Sequence, residues 1–559
     1  MRRMMIPVLI ALVLLVGLLL RVRGLQWGIP TGPHYRNYYQ DERFSLGLVY
    51  RMNPARLNFD PHYYINPSLH YYTMLGVLGM ASALGLPLHL PVEDDSPLRP
   101  GSMSGQTYAA TFLICRWLVV IQSVLSILVL YLIGRRLYSE RAGLLAALLF
   151  SVNYASAYQA HFITPDGPAV AWLILALYLV VLLHQEPSRR IWKILAPVGI
   201  GLAIGAKYLN ALVLIPYLVV LVWRAISEAR PDRVLKGEQV RGQSRRNARR
   251  LAPPRGWGRR LATEVLSGLA IVLGAFLITT PYALLSFQRF LHGDENGFGG
   301  IFGRRGLFFY NNFPPSLVEP FAVTTRALLN PLGLVVLLLG LIVLFKRRRS
   351  SDILLLSFIV PFYLMLVAKS SPMLRHVLPV LPFLCLALAG GLADRTYLRL
   401  RVGPVPAVLL LVLALSWLGL SVAAVERMER PDTRQQVETW VRQNVTTETI
   451  ALPTYFPYRY TPAIDSFHLL PLNYDYRLLE TKRPEYLLMV EPEYRVNGRS
   501  DDKAFFKEAF VAALGRMRSY VLVQRFAEPF RLLGWNLPVR FPTEDWSYPS
   551  PEILVFRRL

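Results

Sequence analysis

Eleven long apolar segments set the limits on what this chain can fold into. A helix needs about 20 mostly apolar residues to cross a bilayer, with a range of about 17–25. Residues 191–223 are too long for one span and Lys207 divides them, so two helices are predicted there. The predicted spans are residues 4–20, 110–133, 142–158, 167–184, 191–206, 208–223, 262–285, 322–345, 353–368, 377–393 and 402–425. The sequence therefore predicts an all-α polytopic membrane bundle of about eleven transmembrane helices.

The composition agrees with a membrane protein that also carries some soluble mass. Hydrophobic residues make up 53% of the 559 residues and charged residues only 17%. The net charge of +25 could suggest a nucleic-acid partner, but the positive residues bracket the apolar segments. Membrane lipids are therefore the predicted partner, and no nucleic acid is expected. Cys115 and Cys385, the only cysteines, both lie in apolar runs and argue against a disulfide framework or a cysteine-type zinc site.

Positive charge alternates between the two sides of the predicted bundle. With the N-terminus in the cytoplasm, every cytoplasmic segment is rich in Arg or Lys, and residues 224–260 carry twelve positive residues against three acidic ones. That stretch is interpreted as an Arg-rich loop facing anionic lipid. The first apolar run ends in Arg21-Val22-Arg23 rather than at a small-residue cleavage site, so it is predicted to be a retained span. A multi-pass protein of the plasma (inner) membrane follows from these patterns.

The segment after the last span is predicted to be a separate domain. Residues 1–425 form the membrane domain, and residues 426–559 form a small α/β domain on the outer, extracytoplasmic face. The stretch DTRQQVETWVRQNV has helical spacing, with Val437, Trp440 and Val441 on one face. The stretches ETIALP, EYLLMVEP, YVLVQRF and EILVFRR predict four strands.

Three acids stand out on the predicted outer face. Asp41 and Glu42 follow the first span closely, among aromatic residues, and Asp166 opens the fourth span between two prolines. Charged residues held at membrane depth suggest function, although a solvated loop pair and a helix cap are the simpler alternatives.

Three cations are predicted on the same face. Arg116 lies inside the second span, Lys207 lies at the turn between the fifth and sixth spans, and Arg375 opens the tenth span. Each could extend to the interface for structural reasons alone. Acids and cations that converge on one face nevertheless suit an anionic ligand whose lipid tail lies between helices.

Several stretches of the sequence resemble a known superfamily. They include QDERF, the run from RWLVVIQSV to AALLF, HFITPDGPA, GLAIGAKYLNALVLIPYL and MLRHVLPVLPFLCLALAGGLADR. In their order and topology they resemble the GT-C superfamily of membrane glycosyltransferases. The resemblance is to the branch that contains the protein O-mannosyltransferases (family 39) and the lipid A aminoarabinose transferase.

This resemblance implies a chemistry and a set of roles. The implied enzyme moves a sugar from a polyprenyl-phosphate donor to an acceptor hydroxyl at the outer face and inverts the anomeric carbon. Asp41 matches the general base, Glu42 is expected to bind hydroxyl groups, and Asp166 is expected to orient the substrates. Arg116, Lys207 and Arg375 are expected to bind the lipid phosphate.

The resemblance leaves the cofactor and the acceptor open. A divalent cation, Mg²⁺ or Mn²⁺, is a possible cofactor, with Asp41 and Asp166 as candidate ligands. The acceptor could be a lipid, a glycan or a protein.

Two other functions remain as alternatives. An O-antigen ligase or polymerase also uses polyprenyl-linked donors, but is expected to carry a large central outer loop with Arg and His and no early Asp-Glu pair. A transporter is expected to show internal repeats and polar residues near the bilayer midplane. The sequence shows no repeat, and its unusual charges lie near one surface.

Overall fold

The structure is a computed structural model of the chain. It describes residues 2–30, 37–86, 88, 105–228, 257–295, 298–302, 317–369, 373–392, 405–446, 449–453, 462, 464, 467–494, 504–539 and 549–559. Most of the basic stretch 224–260 lies outside these described residues.

Helices make up the membrane part of the chain. They are α1 (Arg2–Val22), α2 (Gln40–Tyr50), α3 (Leu69–Ala83), α4 (Gly105–Leu137), α5 (Glu140–Val152), α6 (Tyr154–Gln159), α7 (Asp166–Gln185), α8 (Trp192–Ala206), α9 (Leu214–Glu228), α10 (Trp257–Thr279), α11 (Tyr282–Leu285), α12 (Phe287–His292), α13 (Val318–Val323), α14 (Asn330–Arg347), α15 (Ser350–Lys369), α16 (Leu374–Val377), α17 (Leu381–Leu392) and α18 (Val405–Glu429). Short 3₁₀ turns cover Pro54–Arg56, Tyr208–Val213 and Leu378–Val380, and a π-helical turn covers Thr324–Leu329.

Among the described residues, nine helical segments are long and apolar enough to cross a membrane. The prediction of eleven full-length spans is corrected at two places. The predicted span 142–158 is divided at Asn153, because the Asn153 side chain accepts hydrogen bonds from the first backbone N–H groups of α6 and so starts a new helix. The predicted span 191–206 is α8, whose 15 residues are about 22 Å long.

Close backbone packing joins the long helix α4 to α5. A Cβ atom on Gly134 would lie 2.7 Å from the Gly143 Cα atom, and a Cβ atom on Gly143 would lie 2.5 Å from the Tyr131 carbonyl oxygen. The two glycines therefore let the helix backbones approach each other directly, as small residues do in membrane helix pairs. Helix α17 is buried along its whole length in the interior of the bundle.

The two ends of the bundle differ in charge. Arg136, near the end of α4, bonds Glu186, just past the end of α7, with 2.9 Å between Nη1 and Oε1. At the same end, the Tyr138 hydroxyl donates to Asp352 at the start of α15. Asp166 begins α7 and so lies about 30 Å away, at the other end. The predicted basic segments around 134–141, 184–190 and 346–352 thus share one end, opposite to Asp166.

The C-terminal part folds around a mixed sheet. Its helices are α19 (Thr433–Asn444), α20 (Arg477–Lys482), α21 (Glu491–Tyr494) and α22 (Ala504–Arg516). Its strands are β1 (Thr449–Leu452), β2 (His468–Pro471), β3 (Tyr486–Val490), β4 (Tyr520–Phe526), β5 (Arg531–Leu532), β6 (Trp535–Asn536) and β7 (Ile553–Arg558). The main sheet has the order β2-β1-β3-β7-β4, with β1 parallel to β2 and β3, and β7 antiparallel to β3 and β4.

The predicted elements of this part are present, and one strand was missed. The four predicted strands correspond to β1, β3, β4 and β7, and the predicted helix is α19, with Val437 and Val441 buried. The missed strand β2 is only four residues long and partly exposed, so it lacks the apolar run that marks the others. One continuous set of buried residues runs from the helical bundle into this sheet.

Candidate active site

Four elements bring acids and cations together at one end of the bundle. Asp41 lies in the first turn of α2, and Asp166 is the first residue of α7. Lys207 has an extended backbone just after α8, where it separates α8 from the following 3₁₀ turn, as predicted. Arg375 lies on the one-turn helix α16. Acids in the first turn of a helix are favoured by the helix dipole, which helps to explain why these two helices begin where they do.

The acids and cations form two ion pairs. Arg375 donates from Nη1 to Oδ2 of Asp41, and Lys207 donates from Nζ to Oδ1 of Asp166. Arg375 and His376 also lie close enough to Asp166 to act on it electrostatically. The two pairs therefore belong to a single cluster in which Arg375 links the two acids. The Asp41 side chain is 33% exposed and the Asp166 side chain 8%, so Asp41 is the more accessible acid.

Glu42 and Arg116 form a separate, fully buried pair beside this cluster. Arg116 donates from Nε to Glu42 Oε1 at 2.8 Å and from Nη2 to Glu42 Oε2 at 2.6 Å. Its Nη1 donates to the carbonyl oxygens of Leu25 and Trp27. Glu42 also accepts from Asn37 Nδ2 and from the backbone N–H of Ile163. Both side chains are about 1% exposed or less.

The predicted roles of Glu42 and Arg116 stay predictions, and the geometry of the pair favours a structural role instead. Arg116 has its guanidinium held by one carboxylate and two carbonyl oxygens, so a phosphate could reach it only by breaking the pair. Removing one partner of a buried pair would leave an uncompensated buried charge, which is strongly unfavourable. The pair is better placed to fix backbone positions than to bind phosphate or sugar hydroxyls.

The loop between α6 and α7, which leads to Asp166, is fixed by several side chains. The Ile163 backbone N–H donates to Glu42 and its carbonyl oxygen lies 3.1 Å from His70 Nε2. The Phe162 ring stacks on the Tyr39 ring, with 4.1 Å between the centroids. Asp166 and Asp41 are thus positioned by one connected set of contacts.

His70 is a functional candidate that the sequence did not single out. Its Nε2 faces a carbonyl oxygen and so carries the proton, which leaves Nδ1 as an acceptor with no hydrogen-bond partner among the described residues. Burial lowers the pKa of His70 to about 4, so the ring is neutral near pH 7. His70 and Tyr71 both lie close enough to Asp166 to interact with it electrostatically. The run of aromatic and histidine residues from Phe59 to Tyr72 was the only sequence signal for them.

A further carboxylate, that of Asp60, is held by hydrogen bonds beside this region. Tyr64 donates its hydroxyl hydrogen to Asp60, with 2.8 Å between Oη and Oδ1, and Ser286 donates to Oδ2 at 3.1 Å. Burial, together with the neighbouring Asp60, raises the pKa of Tyr64. The Tyr208 hydroxyl, next to Lys207 in sequence, donates to the Tyr64 carbonyl oxygen. Asp60 thus connects the first outer loop to the segment after α10.

The described residues do not offer a metal site of the usual kind. No group of three or more His, Cys, Asp or Glu side chains in this part of the chain is arranged to hold an ion. Asp41 and Asp166, the predicted ligands, are each paired with a cationic side chain instead. The residues present therefore do not fit a divalent cation in this arrangement.

One family of known sequences matches this chain. Residues 109–231 match the family described as dolichyl-phosphate-mannose-protein mannosyltransferase. The matched segment runs from α4 to the end of α9 and includes Arg116, Asp166 and Lys207. Over these residues the chain resembles a family of glycosyltransferases. The resemblance predicted from the sequence is confirmed by this match. A search of curated proteins gave no match.

Several solved structures are similar to this chain at low identity. ArnT from Cupriavidus metallidurans bound to undecaprenyl phosphate is 13% identical, with a TM-score of 0.46, over 98% of this chain and 97% of that one. The oligosaccharyltransferase AglB from Archaeoglobus fulgidus, in complex with an inhibitory peptide and a dolichol-phosphate, is 12% identical, with a TM-score of 0.47, over 98% of this chain and 77% of that one. The Pmt1–Pmt2 protein O-mannosyltransferase complex of S. cerevisiae bound to the sugar donor is 15% identical, with a TM-score of 0.33, over 50% of this chain and 34% of that one. At these values the similarities assign no substrate to this chain.

Proposed function

We propose that this glycosyltransferase moves a sugar from a polyprenyl-phosphate donor to an acceptor hydroxyl, with inversion at the anomeric carbon. The observation that carries the proposal is the cluster of Asp41, Asp166, Lys207 and Arg375 at one end of the bundle. Four separate elements contribute one charged side chain each. The description of the matched family, which names a dolichyl-phosphate sugar, supports a lipid-phosphate donor.

Asp41 is the proposed general base. Its carboxylate is the most exposed acid of the cluster, so an acceptor hydroxyl can approach it. A carboxylate held in position removes the proton as the oxygen attacks the anomeric carbon, and such catalysis contributes about 10²–10⁴-fold to a rate. Asp166 is less exposed, and its proposed role is to orient the donor and the acceptor.

Lys207 and Arg375 are the proposed phosphate-binding residues. The bond from the sugar to the phosphate breaks as the new bond forms, so negative charge grows on the departing phosphate. Fixed cations beside that oxygen lower the barrier, because they interact more strongly with the transition state than with the donor.

The two ion pairs suggest how donor binding prepares the base. Arg375 bonds Asp41, and Lys207 bonds Asp166. A donor phosphate competes with both carboxylates for these cations. Its arrival therefore loosens the hold of Arg375 on Asp41 and leaves the carboxylate available to the acceptor. Glu42 and Arg116 keep α2 and the Asp166 loop in place during this exchange.

The proposed site opens on the outer face of the plasma (inner) membrane. The segregation of the basic segments around 134–141, 184–190 and 346–352 at the opposite end supports this orientation, because cytoplasmic segments carry the excess of Arg and Lys. The C-terminal domain then lies outside the cytoplasm. The acceptor belongs to the envelope or the secreted material on that side, as a protein, a lipid or a glycan.

A reconstituted transfer assay tests the proposal. Purified protein is incubated with labelled polyprenyl-phosphate sugars, and the species that gain the label are identified by mass. We expect Lys207→Gln to lower kcat/KM for the donor about 100- to 1000-fold, as loss of one transition-state donor does elsewhere. The matched control is Lys346→Gln, an exposed cation at the opposite end, which is expected to keep wild-type activity. Failure of the wild type to use any lipid-phosphate sugar, or unchanged donor use by Lys207→Gln, would overturn the proposal.

A further inference from the structure

A chain of buried contacts runs from the C-terminal domain to the segment that carries Asp41. It starts at residue Ser550, just before β7, where the Ser550 backbone N–H donates to Asp432 Oδ2 at 2.8 Å. The Thr433 hydroxyl donates to the Pro551 carbonyl oxygen beside it. The sheet of the C-terminal domain is therefore tied directly to the beginning of α19.

Asp432 and Arg434 form a buried pair at this point. Arg434 donates from Nε to Asp432 Oδ1 at 2.8 Å and from Nη2 to Oδ2 at 3.0 Å. Trp27, from the first outer segment, donates its indole N–H to the same carboxylate at 3.1 Å. Arg434 and Asp432 are about 1–2% exposed. Burying two charges is costly unless each is well bonded, so this contact is far more specific than apolar docking of two domains would require.

Arg434 then contacts Tyr38, three residues before the proposed base. Its guanidinium lies over the Tyr38 ring, 3.8 Å from the centroid, and its Nη1 donates to the Tyr38 carbonyl oxygen at 3.4 Å. On its other side the Tyr38 backbone N–H donates to Gly28 at 3.1 Å. Tyr39, the next residue, is the N-cap of α2 and stacks on Phe162.

We propose that Arg434 of the C-terminal domain is a positioning residue, which holds the Tyr38 segment and thereby places Asp41 against Arg375. This inference rests on the proposed role of Asp41 as general base. The conformation of residues 38–39 fixes where α2 begins, and Asp41 lies in the first turn of that helix. A small shift of a reacting group, about 1 Å, can cost about 100-fold in rate. The C-terminal domain thus acts on catalysis without touching the substrate.

The junction contains a suitable control residue. Arg430 also links the membrane helix α18 to the C-terminal domain, with 2.7 Å between its Nη1 and Glu528 Oε1. Among the described residues it pairs with Glu426 and Glu528, and neither belongs to the segment before Asp41. Arg430→Gln therefore loosens the same junction without touching Tyr38.

Paired substitutions test the inference in the full-length protein. We expect Arg434→Gln and Tyr38→Leu each to lower kcat about 10- to 100-fold, with the KM for the donor changed less than about threefold. Tyr38→Phe keeps the ring and the carbonyl oxygen and is expected to retain most of the activity. Arg430→Gln is expected to behave as the wild type. Thermal unfolding of every variant shows whether a lost activity merely follows lost stability.

Hydrogen exchange supplies a readout that does not depend on activity. The amides of the peptide covering residues 37–50 are expected to exchange faster in Arg434→Gln than in Arg430→Gln. The positioning role is refuted if Arg434→Gln and Tyr38→Leu transfer sugar with the same kcat as the wild type and Arg430→Gln. It is also refuted if hydrogen exchange of residues 37–50 is the same in Arg434→Gln and Arg430→Gln. In both cases transfer by the wild type leaves the proposed function standing. If the wild type transfers no sugar, the proposed function itself fails.

Discussion

At the scale of single residues, the charged side chains near the site include one fully buried ion pair and one partly exposed ion pair. Glu42 and Arg116 are sealed inside the protein and satisfy each other. Asp41 and Arg375 are paired as well, but both remain partly exposed. We propose that the first pair has a structural role and that the second exchanges its partners when a ligand arrives. The proposed chemistry therefore belongs to the second pair.

The buried pair is expected to contribute far more to stability than an exposed one. Arg116→Met should lower the free energy of unfolding by about 3–5 kcal/mol, because it leaves the Glu42 carboxylate buried without its cation. Arg23→Met removes an exposed pair with Glu429 and should cost less than about 1 kcal/mol. Unfolding of the purified variants in detergent measures both. Equal stability of the two variants would show that Arg116 is not held as described.

His70 is expected to make stability depend on pH. Its pKa is about 4 in the folded protein because of burial, against about 6.5 in an unfolded chain. Between these values the unfolded state binds a proton that the folded state does not. The free energy of unfolding should therefore fall as the pH falls from about 6.5 to 4, by up to about 1.4 kcal/mol per pH unit.

Histidine variants check this pH dependence. His161 is buried too, with its pKa lowered by desolvation, so it adds to the effect in the same direction. His70→Gln should reduce the slope of the melting temperature against pH between pH 4 and 6.5. His468→Gln, at an exposed position on β2, should leave this slope unchanged. A slope in His70→Gln as steep as that of the wild type would assign the effect to other groups, such as His161.

The sequence predicted which residues cluster, but it could not predict which of them pair with each other. The predicted position near one membrane surface singled out Asp41, Asp166, Lys207 and Arg375, and in the structure these residues form one cluster of ion pairs. It also marked Arg116, but its partner Glu42 lies 74 residues away in sequence. No local pattern reveals such a pairing, since a buried arginine and a ligand-binding arginine look alike in the sequence. His70 was hidden for the same reason, within a run of aromatic residues.

At the scale of secondary-structure elements, apolar length predicted most helices and failed where helices are short or divided. The helices corresponding to 167–184, 353–368 and 402–425 follow from long apolar runs. The divided helix at Asn153 does not, because a single capping residue within an apolar run leaves little trace in hydropathy. The break at Lys207 was predicted because a charged residue in the middle of an apolar run is costly.

Two glycines of the bundle should respond to the same substitution in opposite ways. Gly143→Ala places a Cβ atom 2.5 Å from the Tyr131 carbonyl oxygen and 2.8 Å from the Arg135 nitrogen, so it should force α4 and α5 apart and cost about 1–3 kcal/mol. Gly274, on the exposed face of α10, has nothing within 4 Å of an added Cβ atom. Gly274→Ala should be neutral or stabilise by up to about 1 kcal/mol. The melting temperatures of the two variants, compared with that of the wild type, test both expectations. A Gly143→Ala variant as stable as the wild type would contradict the close packing of α4 and α5.

At the scale of the whole molecule, the bundle has a basic end and a proposed reactive end. The path of the chain links them: Trp192, at the start of α8, bonds Glu186 at the basic end, and Lys207, just after α8, bonds Asp166 at the other. The short helix α8 thus lies between a residue bonded at the basic end and a residue bonded at the proposed reactive end. The alternation of Arg-rich segments predicted this arrangement from the sequence, because charge placement is less sensitive to helix length than hydropathy is.

Cysteine accessibility tests the proposed orientation. Both native cysteines are buried, so they should give little background labelling. A membrane-impermeant maleimide should label Ala55→Cys, at an exposed position near the proposed reactive end, in intact cells. It should label Lys346→Cys, at an exposed position of the basic end, only after the membrane is made permeable. The reverse pattern would place the proposed site in the cytoplasm.

The most direct test of the central claim is turnover of a lipid-phosphate sugar by Asp41→Asn. The variant keeps the size of the side chain but cannot accept a proton, so we expect kcat to fall at least about 100-fold while expression and melting temperature stay near those of the wild type. Glu140→Gln, at an exposed position of the other end, serves as the matched control and should remain fully active. Near-normal turnover by purified Asp41→Asn would contradict the account.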